Sequence, residues 1–144
     1  MIKEFSNQYL QEVQNIEKKC FGKGFSNEAF YHYHQIVNHN FVIYQKDSQT
    51  IGYCIGSISA IDKDIGWIVS IGVIPEFQNQ GIGSKLLINI INKLKNQVNK
   101  LRLSVSENNH SAYNFYLKNN FYEIKQPFDM YYTNKKSYLL EYQL

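Results

Sequence analysis

The sequence predicts one mixed α/β domain over residues 1–144, with a central, mostly antiparallel sheet, a parallel βαβ core and flanking helices. Three observations carry that expectation. Between residues 65 and 105 an apolar run, a turn with two glycines, a helix-spaced segment and an alternating segment follow one another, the order of a βαβ unit. Around residues 41–61 two apolar runs flank the turn Lys46-Asp47-Ser48-Gln49, as in an antiparallel meander. The tail adds two short strand-like runs, 121–124 and 137–142.

Residues 1–5 are too short to assign alone. Ser6 or Asn7 is the expected cap of a first helix, with Tyr9, Leu10, Val13, Ile16 and Cys20 on one stripe and an end near Gly22. Ser26 is the expected cap of a second, with Glu28 in its first turn and Phe30, Tyr33 and Val37 as apolar positions. Strands are expected at 41–44, 51–61 and 65–73, with a turn at Ile61-Asp62-Lys63-Asp64. The third is almost wholly apolar, which places it at the centre of the sheet, covered on both faces. After Pro75, Ile82, Leu86, Ile90, Leu94 and Val98 recur every four residues and mark a core-packed helix. Leu101, Leu103 and Val105 alternate as a strand, and Ala112, Phe115, Tyr116 and Leu117 mark a last helix ending before Phe121.

With 144 residues a single core suffices, since roughly two thirds of the unfolded surface is buried at this size. A hydrophobic share of 44% against 19% charged is a folded balance, far from that of disordered chains. The net charge of +3 comes from scattered lysines, which suits a small anionic ligand and not a nucleic acid. Cys20 and Cys54 show no CxxC spacing, so buried thiols and no metal site are expected. No leader-like start and no membrane-length apolar run is visible, from which a cytoplasmic protein without membrane contact is expected. The expected state is a monomer or weak dimer.

The most informative segment is Gln78-Asn79-Gln80-Gly81-Ile82-Gly83. It stands where a strand has ended and a helix begins, where backbone N–H groups lack partners and the helix dipole is positive. Two glycines let the main chain approach a diphosphate closely. A plain tight turn would use the same residues. A Walker loop needs Gly-Lys-Ser/Thr and a Rossmann turn needs GxGxxG, and neither is present.

The segment from Val73 to Leu87 resembles the acetyl-CoA motif of the GNAT superfamily, Gln/Arg-x-x-Gly-x-Gly/Ala after a strand, with Gln78, Gly81 and Gly83 on its defining positions. The resemblance implies acetyl-CoA as cofactor. It implies binding at Gln78, Asn79, Gln80, Gly81, Ile82, Gly83, Ser84 and Lys85, with the strand residues Ile71 and Val73 beside the acetyl group. It also implies that the amide of Ile71, Gly72 or Val73, with Val73 preferred, donates to the thioester oxyanion. The loop is often basic in that family, whereas Gln78, Asn79 and Gln80 are neutral, so affinity should lean on the backbone and on Lys85.

The stretch from Leu103 to Phe121 looks like the second GNAT motif, with Asn109, Ala112, Tyr116 and Phe121 in register and Asn120 replacing the usual glycine. Asparagine is the other residue that tolerates a left-handed backbone after a helix. The motif implies that Asn109 and Tyr116 meet the cofactor and that Tyr116 is the acid for the leaving thiolate. A phenol with a pKa of about 10 giving its proton to a thiolate whose acid is near 8.5 costs about 2 kcal/mol. The competing role for Tyr116 is core packing at helical spacing.

Residues 17–30 resemble the start of ribosomal-protein alanine N-acetyltransferases, and 66–73 with Tyr131-Tyr132 resemble archaeal N-terminal acetyltransferases. The resemblance implies a protein or peptide N-terminus, a ribosomal protein among the candidates, clamped by Phe21, Phe25, Trp67, Tyr131 and Tyr132. Relatives often place a base where Ser104 and Trp67 stand, and neither side chain can take a proton. Glu107 is the candidate carboxylate nearby, and His110 stands at a helix start. Freeing an α-amine with a pKa of 7.7–8.0 at pH 7 costs about 1 kcal/mol, against about 4.6 for a lysine amine. An N-terminal α-amine is therefore the expected acceptor. The alternatives are a GNAT acting on a small amine or lysine side chain, and a non-catalytic acetyl-CoA-binding module.

Overall fold

The computed structural model describes residues 1–22, 27–37, 40–129 and 136–144. In chain order it contains β1 (Ile2–Glu4), α1 (Leu10–Phe21), α2 (Asn27–Val37), β2 (Phe41–Lys46), β3 (Gln49–Ile58), β4 (Ile65–Val73), α3 (Ile82–Leu94), β5 (Lys100–Ser106), α4 (His110–Lys118), β6 (Tyr122–Asp129) and β7 (Lys136–Gln143). The strands form one seven-stranded sheet in the order β1-β2-β3-β4-β5-β7-β6. The nearly all-apolar strand β4 takes the central place expected of it, and it pairs with β5 in parallel. By internal contacts the chain divides into two compact units, one of Met1–Ser57 with Ile68–Lys93 and one of Ile58–Trp67 with Leu94–Leu144.

In the first unit, β1, β2 and β3 pair antiparallel. Asp47 and Ser48 both adopt positive φ, 49° and 64°, the two-residue turn whose twist matches a tight hairpin. Helix α1 buries Val13, Ile16 and Glu17. It ends at Gly22, whose φ of 76° turns the chain while its N–H bonds the Lys18 carbonyl. Neither Ser6 nor Asn7 caps it as expected: a 3-10 turn at Asn7–Tyr9 intervenes, and the Ser6 side chain makes no cap bond. Ser26, the expected second cap, lies outside the described residues. Phe5 stacks on Phe41 at 4.0 Å, and Tyr53, Ile43, Ile51 and Ile55 complete this core with Leu86, Leu87 and Ile90 of α3.

In the second unit, β5, β7 and β6 form an antiparallel ladder in which β7 is central. Leu101, Leu103, Val105, Leu139 and Leu140 are buried there beside Tyr116 and Phe121. Both tail strands extend beyond the expected runs. Pro127 falls in β6, an edge strand where a missing N–H is tolerated, and the register is irregular between Lys125 and Phe128.

Two sequence expectations shift. Residues 2–4 do form a strand, because pairing with Val42 to Tyr44 supplies the order that three residues cannot supply alone. Strand β3 ends at Ile58, and Ile61, expected in it, is 99% exposed. The Ser59 hydroxyl accepts bonds from the Ile61 and Asp62 amides at 3.2 and 3.1 Å, a local turn that competes with the sheet ladder.

Candidate active site

The C-terminal end of β4 is held by residues from three sides of the first unit. The Ile74 amide donates to the Ile51 carbonyl at 2.9 Å. The Val73 carbonyl accepts from the Gln78 side-chain amide at 2.8 Å and from the Cys20 thiol at 3.2 Å. The peptide between residues 73 and 74 is thus fixed at both its ends. Gly72 presses on α1 and β3: a Cβ there would stand 2.9 Å from Tyr53 Cε1 and 3.3 Å from Ile16 Cγ2. Only a bare backbone lets the strand lie so close.

Past Val73, Pro75–Phe77 make a 3-10 turn and the chain enters the loop of residues 78–81, all of them exposed. Asn79 and Gly81 take left-handed φ values of 62° and 81°. The Gly81 carbonyl accepts the Lys85 amide at 3.1 Å, so α3 begins directly after the loop and Ile82 anchors it in the core. The amides of Ile82, Gly83 and Ser84 have no helical acceptor ahead of them. Open space surrounds Gly81 where a Cβ would sit. Amides without helical acceptors at a helix start, next to an exposed glycine, fit a diphosphate group. Ile71, Gly83 and Ser84 are partly exposed. Lys85 lines a surface groove with Met1, Ile2, Tyr44 and Ile88.

The second motif is folded as its spacing implies. Asn109 caps α4, its side-chain oxygen accepting the Ala112 amide at 3.1 Å. Asn120 adopts a φ of 69°, the left-handed turn that the replaced glycine would supply, and the Phe121 amide returns to the Tyr116 carbonyl. Tyr116 is buried, edge-on to Phe115 at 5.2 Å and to Phe121 at 5.6 Å. The ring is packed as a core residue and its rotamer is fixed by those neighbours. Glu107 is half-buried, its amide bound to the Lys136 carbonyl. Ser104 is exposed.

Trp67 is partly exposed on β4, opposite Arg102 of β5. Phe21, at the end of α1, is 48% exposed, an open apolar ring of the kind a peptide could cover. Phe25, Tyr131 and Tyr132 lie outside the described residues.

One group was not singled out from the sequence. Glu17 is buried against the sheet, where its carboxylate accepts the Tyr53 hydroxyl; the Ser70 hydroxyl lies 3.2 Å from that carboxylate and 2.8 Å from the Tyr53 oxygen and has one proton to give to either. Burial pushes the Glu17 pKa above its ordinary value, and the two hydroxyl bonds only partly oppose it. Burial also raises the Cys20 thiol, with Glu17 and Glu76 adding to the shift. The signal was present: residues 13, 16, 17 and 20 share one helical stripe, and Glu17 is its only carboxylate.

No described helix is long and apolar enough to cross a membrane, and the described residues contain no cluster of three metal-ligating side chains.

Residues 10–121 match the model of the acetyltransferase (GNAT) family. An uncharacterized N-acetyltransferase of Methanocaldococcus jannaschii is 28% identical over 120 residues, 82% of this chain and 75% of that one. The fold is that of Ard1 from Thermoplasma volcanium, with a TM-score of 0.91 at 22% identity, covering 100% of this chain and 97% of that one. It is also similar to the ribosomal-protein-alanine N-acetyltransferase of Escherichia coli, with a TM-score of 0.82 at 21% identity over 99% and 92%. With the family match spanning both motifs, the chain belongs to the GNAT acetyltransferases and is an N-acetyltransferase that uses acetyl-CoA.

Proposed function

We propose that this enzyme moves the acetyl group to the α-amine of a protein N-terminus in the cytoplasm, by direct attack of the amine on the thioester. The observation that carries the reading is the pair Trp67 and Ser104 at the two positions where relatives often keep a base. Without a base at either, an acceptor whose amine is freed at neutral pH for about 1 kcal/mol is favoured over a lysine at about 4.6. The name of the Escherichia coli neighbour, a ribosomal-protein-alanine acetyltransferase, supports a ribosomal protein as one such substrate.

In this reading the backbone amides from Gln78, Asn79 and Gln80 through Ser84, with the side chain of Lys85, hold the cofactor diphosphate, and Ile71 and Asn109 line its path. Acetyl-CoA supplies the activated acyl group. The Val73 amide donates to the developing oxyanion, an arrangement worth several kcal/mol when the donor is already in place. Tyr116 gives its proton to the departing thiolate, and Phe21, Phe25, Trp67, Tyr131 and Tyr132 receive the peptide, with Glu107 near the reacting amine.

Peptides with free and blocked N-termini test the acceptor. Efficient acetylation of free N-termini, graded by their first two residues, is expected; turnover of blocked lysine peptides or polyamines at equal rates refutes it. Tyr116→Phe should lower kcat by about a hundredfold, the usual scale for losing a general acid, with acetyl-CoA affinity nearly unchanged by calorimetry. A variant with full kcat removes Tyr116 from the reaction.

A further inference from the structure

Glu17, Tyr53 and Ser70 form a hydrogen-bonded cluster with an unusual charge balance. The carboxylate is 4% exposed and no cation pairs with it among the described residues. Around it stand the Tyr53 phenol from β3, the Ser70 hydroxyl from β4 and, on α1 itself, the Cys20 thiol, with Glu76 acting on that thiol from a distance. Lys19, beside Cys20 in the chain, is turned to Glu76 at 4.0 Å. Tyr53 is fully buried, whereas Ser70 is partly exposed. Ser70 is therefore the member of the set through which Glu17 can exchange a proton with anything outside.

Ser70 also lies on the strand that ends at Val73. It is three residues upstream, about 10 Å along the strand at 3.3 Å per residue. Gly72, two residues on from Ser70, also packs on Tyr53, and on Ile16 and Cys20 of α1. Cys20 in turn bonds the Val73 carbonyl. The carboxylate, the two hydroxyls and the fixed peptide at Val73 are thus parts of one packed unit.

We propose that Ser70 and Glu17 are the exit route for the proton that the acceptor α-ammonium must lose, Ser70 meeting the amine directly or across one water and Glu17 taking the proton through it. This rests on the α-amine reading and deepens it: an amine freed for about 1 kcal/mol at pH 7 can use an indirect relay through Ser70, where a lysine amine would need a base in direct contact. The ammonium N–H bond breaks and its electron pair stays on nitrogen; the proton passes to Ser70 Oγ while the Ser70 proton moves to the Glu17 carboxylate. The freed pair attacks the acetyl carbon and the C–S bond breaks. A second N–H proton replaces the one that Tyr116 gives to the thiolate, and Glu17 releases the first to solvent. Burial makes the Glu17 carboxylate a better proton acceptor than a solvated one, which is the direction the task needs. Glu17 acts through Ser70 and positions it; Ser70 is the residue that touches substrate.

The test is the pH dependence of kcat/KM for a peptide with a free N-terminus, measured on wild type, Glu17→Gln and Ser70→Ala. At pH 7 both variants should lose about tenfold or more, and both should regain rate as the pH approaches 9, where the amine is already free. Acetyl-CoA affinity should stay within about twofold, because neither residue meets the cofactor. An unchanged profile in Glu17→Gln, or an equal loss at every pH, overturns the inference and leaves the acceptor reading standing. A wild type that acetylates only polyamines or blocked peptides overturns the acceptor reading itself. Should Glu17→Gln fold poorly, Ser70→Ala decides alone, since it keeps the Glu17–Tyr53 bond.

Discussion

Replacing Gly72 by alanine puts one methyl group where the end of β4 meets α1. Its Cβ would lie 2.9 Å from Tyr53 Cε1, 3.3 Å from Ile16 Cγ2 and 3.5 Å from Cys20 Sγ. Ordinary contact needs about half an ångström more at the first of these, and Tyr53 has little room to give it. The ring is fully buried and its hydroxyl is tied to both Glu17 and Ser70. The strand or the helix must move instead. Overpacking of this kind costs 1–3 kcal/mol, so about 2 kcal/mol is a fair central value. An unfolding entropy of about 2.1 cal/mol/K per residue gives about 0.3 kcal/mol/K for a chain of this length, and Tm should fall by about 7 °C. The displaced strand carries the Val73 peptide, so kcat should fall with stability, by about tenfold for a misplacement of a few tenths of an ångström. Calorimetric melting and steady-state kinetics on one preparation measure both. A Tm within about 2 °C of wild type with unchanged kcat would show that the contact is soft and that the strand is not fixed from α1.

Gln78→Ala removes the bond to the Val73 carbonyl but leaves that of Cys20, so a loss of about 1 kcal/mol, or about fivefold in acetyl-CoA Kd, is expected by calorimetry; no change would mean that the loop holds its shape without it. Because Gln78, Asn79 and Gln80 are neutral, acetyl-CoA binding should weaken only slightly between low and high salt; a steep dependence would place the diphosphate on cations elsewhere. Glu17 makes a third prediction, in stability against pH. Its folded pKa lies above the ordinary 4.5, so between those two values the native state binds more protons than the unfolded one. Wild-type stability should therefore decline as pH rises from about 4.5 through the raised native value, then level off. Urea unfolding of Glu17→Gln should lack that decline; parallel curves for the two proteins would refute a raised carboxyl.

The sheet was legible where alternation and turn chemistry agree. The strand at 65–73 and the helix opening at Ile82 match their expected bounds, because apolar residues, Pro75 and the glycine pair all mark the same boundaries. At Ile61 hydropathy pointed to a strand and the Ser59 hydroxyl won, a local competition that an apolar count cannot register. Strand β1 was illegible for a different reason, since its order comes from a partner some forty residues away. At the site, loop and cap residues could be read because each has a backbone duty: Gly81 and Asn120 take positive φ, and Asn109 caps the start of a helix. The Gln78 contact to Val73 could not be read, as it depends on how the 3-10 turn folds the chain back.

Glu17 stands apart from all of these, since it breaks the pattern it sits in. An apolar residue at that place would complete the stripe of Val13, Ile16 and Cys20 and would spare the fold a buried carboxylate that no cation among the described residues pairs. Each hydroxyl bond to a carboxylate adds about 1.5–3 kcal/mol, so two of them do no more than offset a desolvation cost of several. Removing the charge while filling the space should then favour folding, so stability alone does not account for a carboxylate there. Sites where a local rule fails without gain to the fold are where function is expected to be stored. Here the hydroxyl partners Tyr53 and Ser70 link Glu17 to the strand that ends at the fixed Val73 peptide, and Ser70 is the partly exposed one of the two, which assigns the proton route to Glu17 and not to the exposed Ser104.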